Sequence, residues 1–418
     1  MVPKGWITKA LELTGVKVID GDRGKEYPKA SDFSGDGYCL FLSAKNVTKY
    51  GFQFNELQFI DAEKDKKLRK GRVKRSNIVL TTRGSVGHFA YYDASVPYDV
   101  MRINSGMVIL DADESDLEPN FLYALCRSFI VQKQIEAASF GSAQPQLTVG
   151  IVKGLKLPIP TLVEQKKIAQ ILSTWDKAIS VTEKLLTNSQ RQKKALMQQL
   201  LTGNKRLLDE NGVRFSGEWK ITKLIQMGKV VSGGTPDTNM AMYWEGDILW
   251  LTPTDVTALT GRFVSNTSRK ITPAGLLNSS AVLLPKGSLM VCTRATIGAL
   301  AISTSEICTN QGFKNIIPNE GFNIEFIYYL LQMNTNEMIK KSSGSTFLEL
   351  SKKDFETLSF SCPFIKEQQK IAAVLSAADT EISTLEKKLA CLKDEKKALM
   401  QQLLTGKRRV KVDEAVAV

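Results

Sequence analysis

One segment of forty residues is present twice in this chain, and it constrains the fold more than any other feature. Residues 164–203 read EQKKIAQILSTWDKAISVTEKLLTNSQRQKKALMQQLLTG, and residues 367–406 read EQQKIAAVLSAADTEISTLEKKLACLKDEKKALMQQLLTG. The two copies align without a gap at an offset of 203 residues and are identical at 24 of 40 positions. Because this period is far longer than the unit of a solenoid repeat, the sequence indicates that a whole module was duplicated.

Each copy has the pattern of a long helix. Apolar residues recur at alternating steps of four and three, neither copy contains Pro, and each ends at a Gly. This spacing is typical of a coiled-coil seam, and forty helical residues extend over roughly 60 Å. We predict helices over 161–206 and 364–408 that pair antiparallel within the chain; a zipper between two copies of the chain is the alternative. The predicted seam residues are Ile168, Leu172, Trp175, Ile179, Leu186, Leu196, Leu200, Ile371, Leu375, Ile382, Leu385, Leu389, Leu392, Leu399 and Leu403.

A globular segment precedes each helix: residues 1–160 precede the first helix and residues 207–363 precede the second. A tail, 409–418, follows the second helix. Short apolar runs ending in turn-forming residues predict strands in both segments. Residues 37–47 correspond to 246–256, residues 77–87 to 288–298, and a helical stretch at 119–138 to 324–341. We therefore predict an α+β fold: two mixed α/β domains, separated by a long antiparallel two-helix coiled coil and related by a pseudo-twofold axis.

Composition narrows the class of protein. The chain has 418 residues, 56 of them Lys or Arg and 43 Asp or Glu, which leaves a net charge of +13. No run of about 18 apolar residues and no secretory leader is visible, and six single cysteines lack metal-binding spacing. We expect a cytoplasmic protein with reduced thiols and no membrane contact. A basic protein of this kind most often binds nucleic acid.

Residues that catalytic sites commonly require are scarce in the sequence. The one histidine is His88, and a single imidazole supports neither a Ser-His-Asp triad nor a histidine-rich metal site. We find no G-x-x-x-x-G-K-[ST] phosphate loop, no G-x-G-x-x-G fingerprint and no Asn/Asp-Pro-Pro-aromatic signature of amino-methyltransferases. We predict that the chain is not an enzyme and holds no metal or cofactor. The alternatives are a DNA-modifying enzyme with an unrecognised site and a coiled-coil adaptor that does not bind DNA.

The positive evidence is for contacts with phosphates and bases. Residues 64–75 read KDKKLRKGRVKR, which is either a phosphate-binding surface or a solubilising loop. Arg83 and Arg294 lie at equivalent strand ends, where they could bind a guanine, a phosphate or a carboxylate of the module. Gln144, Gln146 and Asn46 are candidates for binding adenine. The amides of Ser232–Pro236 could surround a phosphate, and a plain turn is the alternative for this segment. The predicted DNA contacts are Arg23, Lys25, Lys45, Asn46, Lys66, Lys67, Arg69, Lys70, Arg72, Lys74, Arg75, Thr82, Arg83, Ser142, Gln144, Thr235, Thr252, Thr254, Thr293, Arg294, Lys314 and Ser345.

The chain resembles a known family, the specificity subunits of type I restriction-modification systems. The resemblance rests on Glu-Gln-x-Lys-Ile-Ala at 164–169 and 367–372, Leu-Pro-Ile-Pro at 157–160, Gly-Gly-Thr-Pro at 233–236, and Asp-Gly-Asp-Arg-Gly at 20–24 with Tyr27 and Pro28. It implies two target recognition domains that each read one half of a bipartite, asymmetric site in double-stranded DNA. The paired helices would set the spacer and dock two methyltransferase subunits.

The resemblance also implies what the chain lacks. Two translocating restriction subunits would complete the complex in a prokaryotic cytoplasm. S-adenosylmethionine would bind the methyltransferase subunits, and ATP and magnesium are also expected in the partner subunits. The specificity subunit itself would catalyse nothing.

Overall fold

The computed structural model describes residues 2–139, 146–343 and 348–411. The chain forms two compact units: the first unit is Met1–Glu183 with Lys387–Val418, and the second unit is Lys184–Glu386. Each unit therefore holds one globular domain together with part of both long helices. Sequence analysis separates the helices, at 161–206 and 364–408, from the globular domains. The structure divides each long helix between the two units.

The first unit combines two four-stranded sheets with short helices. One sheet has the order β2-β11-β8-β9 and is antiparallel, and the other has the order β6-β3-β10-β7 with β3 and β10 parallel. Its strands are β1 (Ile7–Ala10), β2 (Lys17–Asp20), β3 (Cys39–Leu42), β4 (Val47–Thr48), β5 (Gly51–Phe52), β6 (Phe59–Ile60), β7 (Arg72–Val73), β8 (Ile78–Thr81), β9 (Phe89–Tyr91), β10 (Met101–Ile103), β11 (Met107–Asp111) and β12 (Lys156–Ile159). Its short helices are α1 (Ala62–Lys67), α2 (Pro119–Cys126), α3 (Phe129–Ser139) and α4 (Val149–Lys153).

The second unit repeats this plan with a five-stranded sheet, β14-β21-β18-β19-β16, and a three-stranded sheet, β17-β15-β20. Its strands are β13 (Lys220–Lys223), β14 (Gly228–Ser232), β15 (Trp244–Leu251), β16 (Phe263–Val264), β17 (Arg269–Ile271), β18 (Leu289–Cys292), β19 (Leu300–Ser303), β20 (Cys308–Thr309), β21 (Phe313–Pro318) and β22 (Ser359–Cys362). Its short helices are α6 (Leu224–Met227), α7 (Pro253–Thr257), α8 (Pro273–Leu277), α9 (Ile324–Met333), α10 (Thr335–Lys341) and α11 (Lys352–Thr357). The mixed α/β domains and their duplication are confirmed.

The two predicted helical stretches in the domains are each broken into two helices. In the first unit the break follows Cys126, where the Ser128 hydroxyl donates to the carbonyl of Leu125 at 2.6 Å. In the second unit Asn334 ends α9, and its side-chain amide donates to the carbonyl of Leu330 at 2.8 Å. Polar side chains of this size compete with the helical backbone for its hydrogen bonds, which explains both breaks.

The two long helices are α5 (Leu162–Leu200) and α12 (Ile365–Leu404), close to the predicted bounds. Within the first unit Asp176 pairs with Lys396 and Glu183 with Lys393, so the residue numbers run in opposite directions. Within the second unit the Ser189 hydroxyl donates to Glu381 at 2.9 Å, and Arg206 pairs with Glu367. In both units the two helix segments are therefore antiparallel and intramolecular, as predicted.

Every predicted seam residue is buried or half-buried, but burial is uneven along the helices. Ile168, Leu172 and Leu403 are part of the first unit's core, and Leu200, Ile371 and Leu375 are part of the second unit's core. The middle seam residues are half-buried. The helix ends are thus stabilised by the domains that they pack against, since an amphipathic helix gains most of its stability from packing.

The duplicated Glu-Gln pair at the start of each long helix has the same role in both units. The Gln165 amide accepts from the N–H of Glu118 at 2.9 Å and donates to the carbonyl of Asp116 at 3.0 Å. Gln368 accepts from the N–H of Asn323 at 3.0 Å. Each glutamine therefore joins the start of a long helix to the segment that caps α2 or α9. The adjacent glutamates, Glu164 and Glu367, are buried and pair with Arg409 and Arg206.

All six cysteines are free, five of them buried. Burial raises the pKa of the Cys292, Cys308 and Cys362 thiols to about 12, so these thiols are protonated at neutral pH. Within the described ranges, no helix is both long and apolar enough to span a membrane.

Candidate nucleic-acid interface

A sharp turn between β8 and β9 presents Arg83 at the surface of the first unit. The Thr82 and Arg83 N–H groups donate to the carbonyl of Gly106 at 2.7 and 3.2 Å, and the Thr82 carbonyl accepts from Leu147 at 3.0 Å. Gly84 and Gly87 have φ values of +71° and +85°, a region that favours glycine and lets the chain reverse. The backbone on both sides thus fixes the position of Arg83, whose side chain is exposed. We call this turn the first tip (Thr82–Gly87).

The second unit builds the same turn after β18. The Thr293 N–H donates to the carbonyl of Gly312 at 2.8 Å, and the Thr293 carbonyl accepts from Leu350 at 2.9 Å. Gly298 has a φ of +88°, and Arg294 is exposed. We call this turn the second tip (Thr293–Gly298). Neither tip arginine forms an ion pair with any residue in the described ranges, so the alternative of a salt bridge inside the module finds no support.

The threonine beside each tip arginine does not reach the surface. Thr82 and Thr293 are buried, and the Thr293 hydroxyl donates to the carbonyl of Gly312 at 3.2 Å. Their role as DNA contacts stays a prediction, and burial turns both side chains away from solvent in this structure. The arginine that follows points outward, as expected for neighbouring residues of an extended chain.

The basic run at 64–75 divides into paired and unpaired cations. Lys64 pairs with Asp32 at 3.2 Å, Arg72 lies 3.5 Å from Asp65, and Arg75 pairs with Asp99 at 2.8 Å. Five other cations of the run are exposed and have no ion pair with a described residue: Lys66, Lys67, Arg69, Lys70 and Lys74. These five side chains are candidates for binding phosphates, and the charge of Arg69 also acts on the nearby Asp22 carboxylate, whose pKa it lowers. Lys64, Arg72 and Arg75 instead help to hold the segment in place.

A buried ion pair, not visible as a signal in the sequence, organises this segment. Arg102 on β10 donates from Nε to Asp65 at 2.5 Å, and its Nη1 and Nη2 donate to the carbonyls of Lys70 at 2.7 Å and Leu68 at 3.1 Å. Both side chains are almost fully buried. One guanidinium therefore fixes the backbone that carries most of the unpaired cations.

Asp22, in the Asp-Gly-Asp-Arg-Gly segment, also fixes the backbone of the basic run at 64–75, which is called the basic loop below. Its carboxylate accepts from the N–H groups of Gly24 and Arg69, each at 2.7 Å. Burial of Asp22 raises its pKa, but the backbone N–H donors outweigh that effect and leave the pKa below its ordinary value. Nearby, Lys25 is exposed, while Arg23 pairs with Asp20 at 3.2 Å.

Other predicted contacts are used within the domains. Asn46 is buried, and its amide donates to the carbonyls of Gln53 at 3.1 Å and Glu56 at 2.8 Å, so both amide hydrogens are used within the domain. Its role as a DNA contact stays a prediction. Lys45 pairs with Glu56 at 2.6 Å. Lys314 is buried, so it cannot bind DNA directly in this conformation. Thr252 caps α7 through Asp255, whereas Thr254 is exposed.

The Gly-Gly-Thr-Pro turn does not offer its glycine amides to a phosphate. The Gly233 and Gly234 N–H groups already donate to the carbonyls of Phe313 at 3.2 Å and Thr309 at 2.9 Å. A Cβ on Gly233 would lie 1.9 Å from the carbonyl oxygen of Asn310, so this glycine permits close packing. Thr235 is hydrogen-bonded to Gln311. These backbone hydrogen bonds support the alternative of a plain turn at these two glycines.

Three predicted residues, Ser142, Gln144 and Ser345, lie outside the described residues. Within the described ranges, no group of three or more His, Cys, Asp or Glu side chains is placed to hold a metal ion.

Comparison with known proteins agrees with the duplicated architecture. Residues 5–188 and 216–393 each match the model of the Type I restriction modification DNA specificity domain. The type I restriction enzyme MjaIX specificity subunit of Methanocaldococcus jannaschii is 40% identical over 172 residues, which cover 41% of this chain and 40% of that protein. The putative MjaX specificity subunit of the same organism is 26% identical over 389 residues, covering 88% of this chain and 86% of that protein.

Solved structures agree on the fold. The crystal structure of the type I restriction-modification S subunit from M. genitalium superposes with a TM-score of 0.61 over 96% of both chains, at 16% identity. This likeness concerns the fold alone. The two matched domains make up most of the chain, which therefore belongs to the family of type I restriction-modification DNA specificity subunits.

Proposed function

We propose that each unit reads one half of a bipartite, asymmetric site in double-stranded DNA. The observation that carries this proposal is the pair of tips, in which equivalent backbone hydrogen bonds hold an exposed, unpaired arginine. An arginine fork matches the O6 and N7 acceptors of guanine or a phosphate. The five unpaired cations of the basic run would supply contacts with phosphates in the first unit.

The chain is proposed to act inside a larger complex and to catalyse nothing itself. Two methyltransferase subunits would bind S-adenosylmethionine, and two restriction subunits would bind ATP and magnesium, in a prokaryotic cytoplasm. The scarcity of catalytic residue types in the sequence supports this division of labour. Incubating the purified chain with DNA and a labelled methyl donor tests it, because incorporation without the partners would contradict the proposal.

A groove on the paired helices of the first unit is the proposed dock for a methyltransferase subunit. It has a volume of about 720 Å³ and lies between α5 and α12. Its apolar lining includes Ile171, Trp175, Leu399 and Val410, and Lys167 and Arg408 are among its charged lining residues. An apolar groove with a charged edge is the usual form of a site for a partner helix or loop.

The central experiment maps methylated adenines genome-wide in cells with and without this chain. A bipartite motif that appears only when the chain is present is the expected result. No chain-dependent motif, in cells that contain the methyltransferase, would overturn the proposal.

Single substitutions at the tips test whether the units act independently. Arg83→Ala should relax preference in one half-site, and Arg294→Ala in the other half-site, each at a cost of about 1–3 kcal/mol in specific binding. Selection of bound duplexes from a library randomised in both half-sites gives this measurement. A uniform loss over both half-sites would instead assign these arginines to phosphates or to the fold.

A further inference from the structure

Each tip arginine has a polar neighbour on an adjacent segment, at equivalent positions in the two units. Arg83 forms an antiparallel bridge with Gln146, and Arg294 forms the same bridge with Glu349. Gln146 and Glu349 are 203 residues apart, the offset of the long helices. Residues directly opposite in an antiparallel bridge project to the same face, so each neighbour lies beside its arginine.

In the first unit this neighbour orients the arginine. With its carboxamide oxygen turned toward the guanidinium, Gln146 accepts from Arg83 Nε at 3.2 Å and Nη2 at 2.9 Å. The groups left over are the Gln146 amide N–H₂ and the Arg83 Nη1, all of them donors. This surface is complementary to a base edge with two acceptors, which in the major groove is guanine.

In the second unit the same position carries a negative charge. The Glu349 side chain is 44% exposed, and its Oε1 lies 4.0 Å from Nζ of the buried Lys314. Arg294 makes no ion pair with it. A carboxylate only accepts hydrogen bonds, and phosphates repel it, so its best partner on DNA is an exocyclic amino group of cytosine or adenine.

Lys314 is a buried cation next to Glu349 in the second unit. Burial lowers the pKa of this lysine, and the nearby Glu349 opposes that shift. The ammonium therefore lies below the second tip without reaching the surface, where it partly neutralises Glu349. The first unit has Val108 at the matching strand position, so only the second unit has a buried lysine at this position.

We propose that residues 146 and 349 determine base preference beside the tip arginines. Gln146 with Arg83 selects a guanine edge, and Glu349 with Arg294 selects a cytosine or an adenine, rather than a guanine or a thymine, at the base that it faces. This inference rests on the proposed DNA-reading function of the units and names the side chains that make the two half-sites different.

Exchange of the two side chains tests the inference. The variants Gln146→Glu and Glu349→Gln are each assembled with the methyltransferase subunit, and their methylated motifs are mapped alongside selection from a randomised duplex library. Gln146→Glu should change preference at one base pair of one half-site, on the order of ten- to a hundredfold, and leave the other half-site unchanged. Glu349→Gln should change only the other half-site.

Matched controls separate this effect from charge alone. Gln58→Glu and Glu320→Gln make the same changes at exposed positions away from the tips, and should leave both half-sites as in the wild type. Motifs that are unchanged in the exchange variants, or affinities that shift equally for all sequences, would overturn the inference. A wild-type chain that yields no motif would instead contradict the proposed function.

Discussion

Arg102 is the residue on which the shape of the basic loop depends most. It is 6% exposed and bonds to Asp65 and to two loop carbonyls, whereas Arg72, near the same carboxylate, is 50% exposed. Arg102→Met leaves the buried Asp65 with only the half-exposed Arg72, 3.5 Å away, as an ion-pair partner, which should reduce the free energy of unfolding of the first unit by about 3–5 kcal/mol. Urea unfolding of the purified chain measures this loss.

The control for this substitution is Arg72→Met, made in the same background. Exposed ion pairs contribute little, so its cost should stay below about 1 kcal/mol. Equal costs for the two variants would show that Arg102 does not organise the loop.

The contrast between these residues shows what sequence reasoning could reach. Arg83 and Arg294 could be predicted at exposed tips because each follows a buried apolar run and precedes a turn. Arg102 could not be predicted, since an arginine between Met101 and Ile103 has no periodic signature. The burial of Asn46 could not be predicted for a similar reason. An amide side chain in a turn is expected to be exposed, and its hydrogen bonds to Gln53 and Glu56 are visible only in the structure.

An ion pair of unequal quality in the two units joins the segment that follows one long helix to the first turn of the other long helix. Arg206 contacts both carboxylate oxygens of Glu367 at 2.6 and 2.7 Å and is 21% exposed. Arg409 reaches Glu164 from Nε alone at 2.7 Å and is 45% exposed. A bidentate, buried pair is stronger than a half-exposed one.

We therefore expect the coupling free energy to differ between the two helix starts. A double-mutant cycle with Glu367→Gln and Arg206→Met should give about 2–3 kcal/mol, and one with Glu164→Gln and Arg409→Met about 1 kcal/mol. Hydrogen exchange of the amides at the start of each long helix reports the local opening free energy. The same coupling at both starts would contradict this expectation.

The long helices were predictable because their apolar period is sustained over forty residues. The shorter helices were predicted as continuous, since their breaks at Ser128 and Asn334 depend on individual side-chain hydrogen bonds. The burial of the helix ends in two separate domain cores was also missed. Periodicity identifies a buried face but does not say which element covers it.

For the molecule as a whole, the unpaired cations should dominate the salt dependence of DNA binding. Replacing Lys66, Lys67, Arg69 and Lys70 with Ala should flatten the plot of log K against log salt by up to about four units, because each phosphate contact releases counterions. Affinity should fall for all sequences alike. Fluorescence anisotropy with a labelled duplex at several salt concentrations measures the slope.

Arg75→Ala is the matched control, since this arginine pairs with Asp99 and lies over the ring of Tyr92. Its slope should change by less than about one unit. An unaltered slope in the fourfold variant would mean that the basic loop faces away from DNA.

The paired helices should set the length of the unread spacer between the half-sites. Because α5 and α12 pair antiparallel, an insertion in one helix alone would leave the other without a partner. The facing residues Ser189 and Glu381 mark a polar point in the pair where both helices can be lengthened together. Four residues inserted after each would add about 6 Å, and adjacent base pairs are about 3.4 Å apart, so the spacer should grow by one or two base pairs.

The half-site sequences should stay the same, because neither tip is altered. Mapping the methylated motif of the variant, assembled with its methyltransferase, gives both quantities at once. If the variant methylates with an unchanged spacer, contacts outside the helix pair determine the distance.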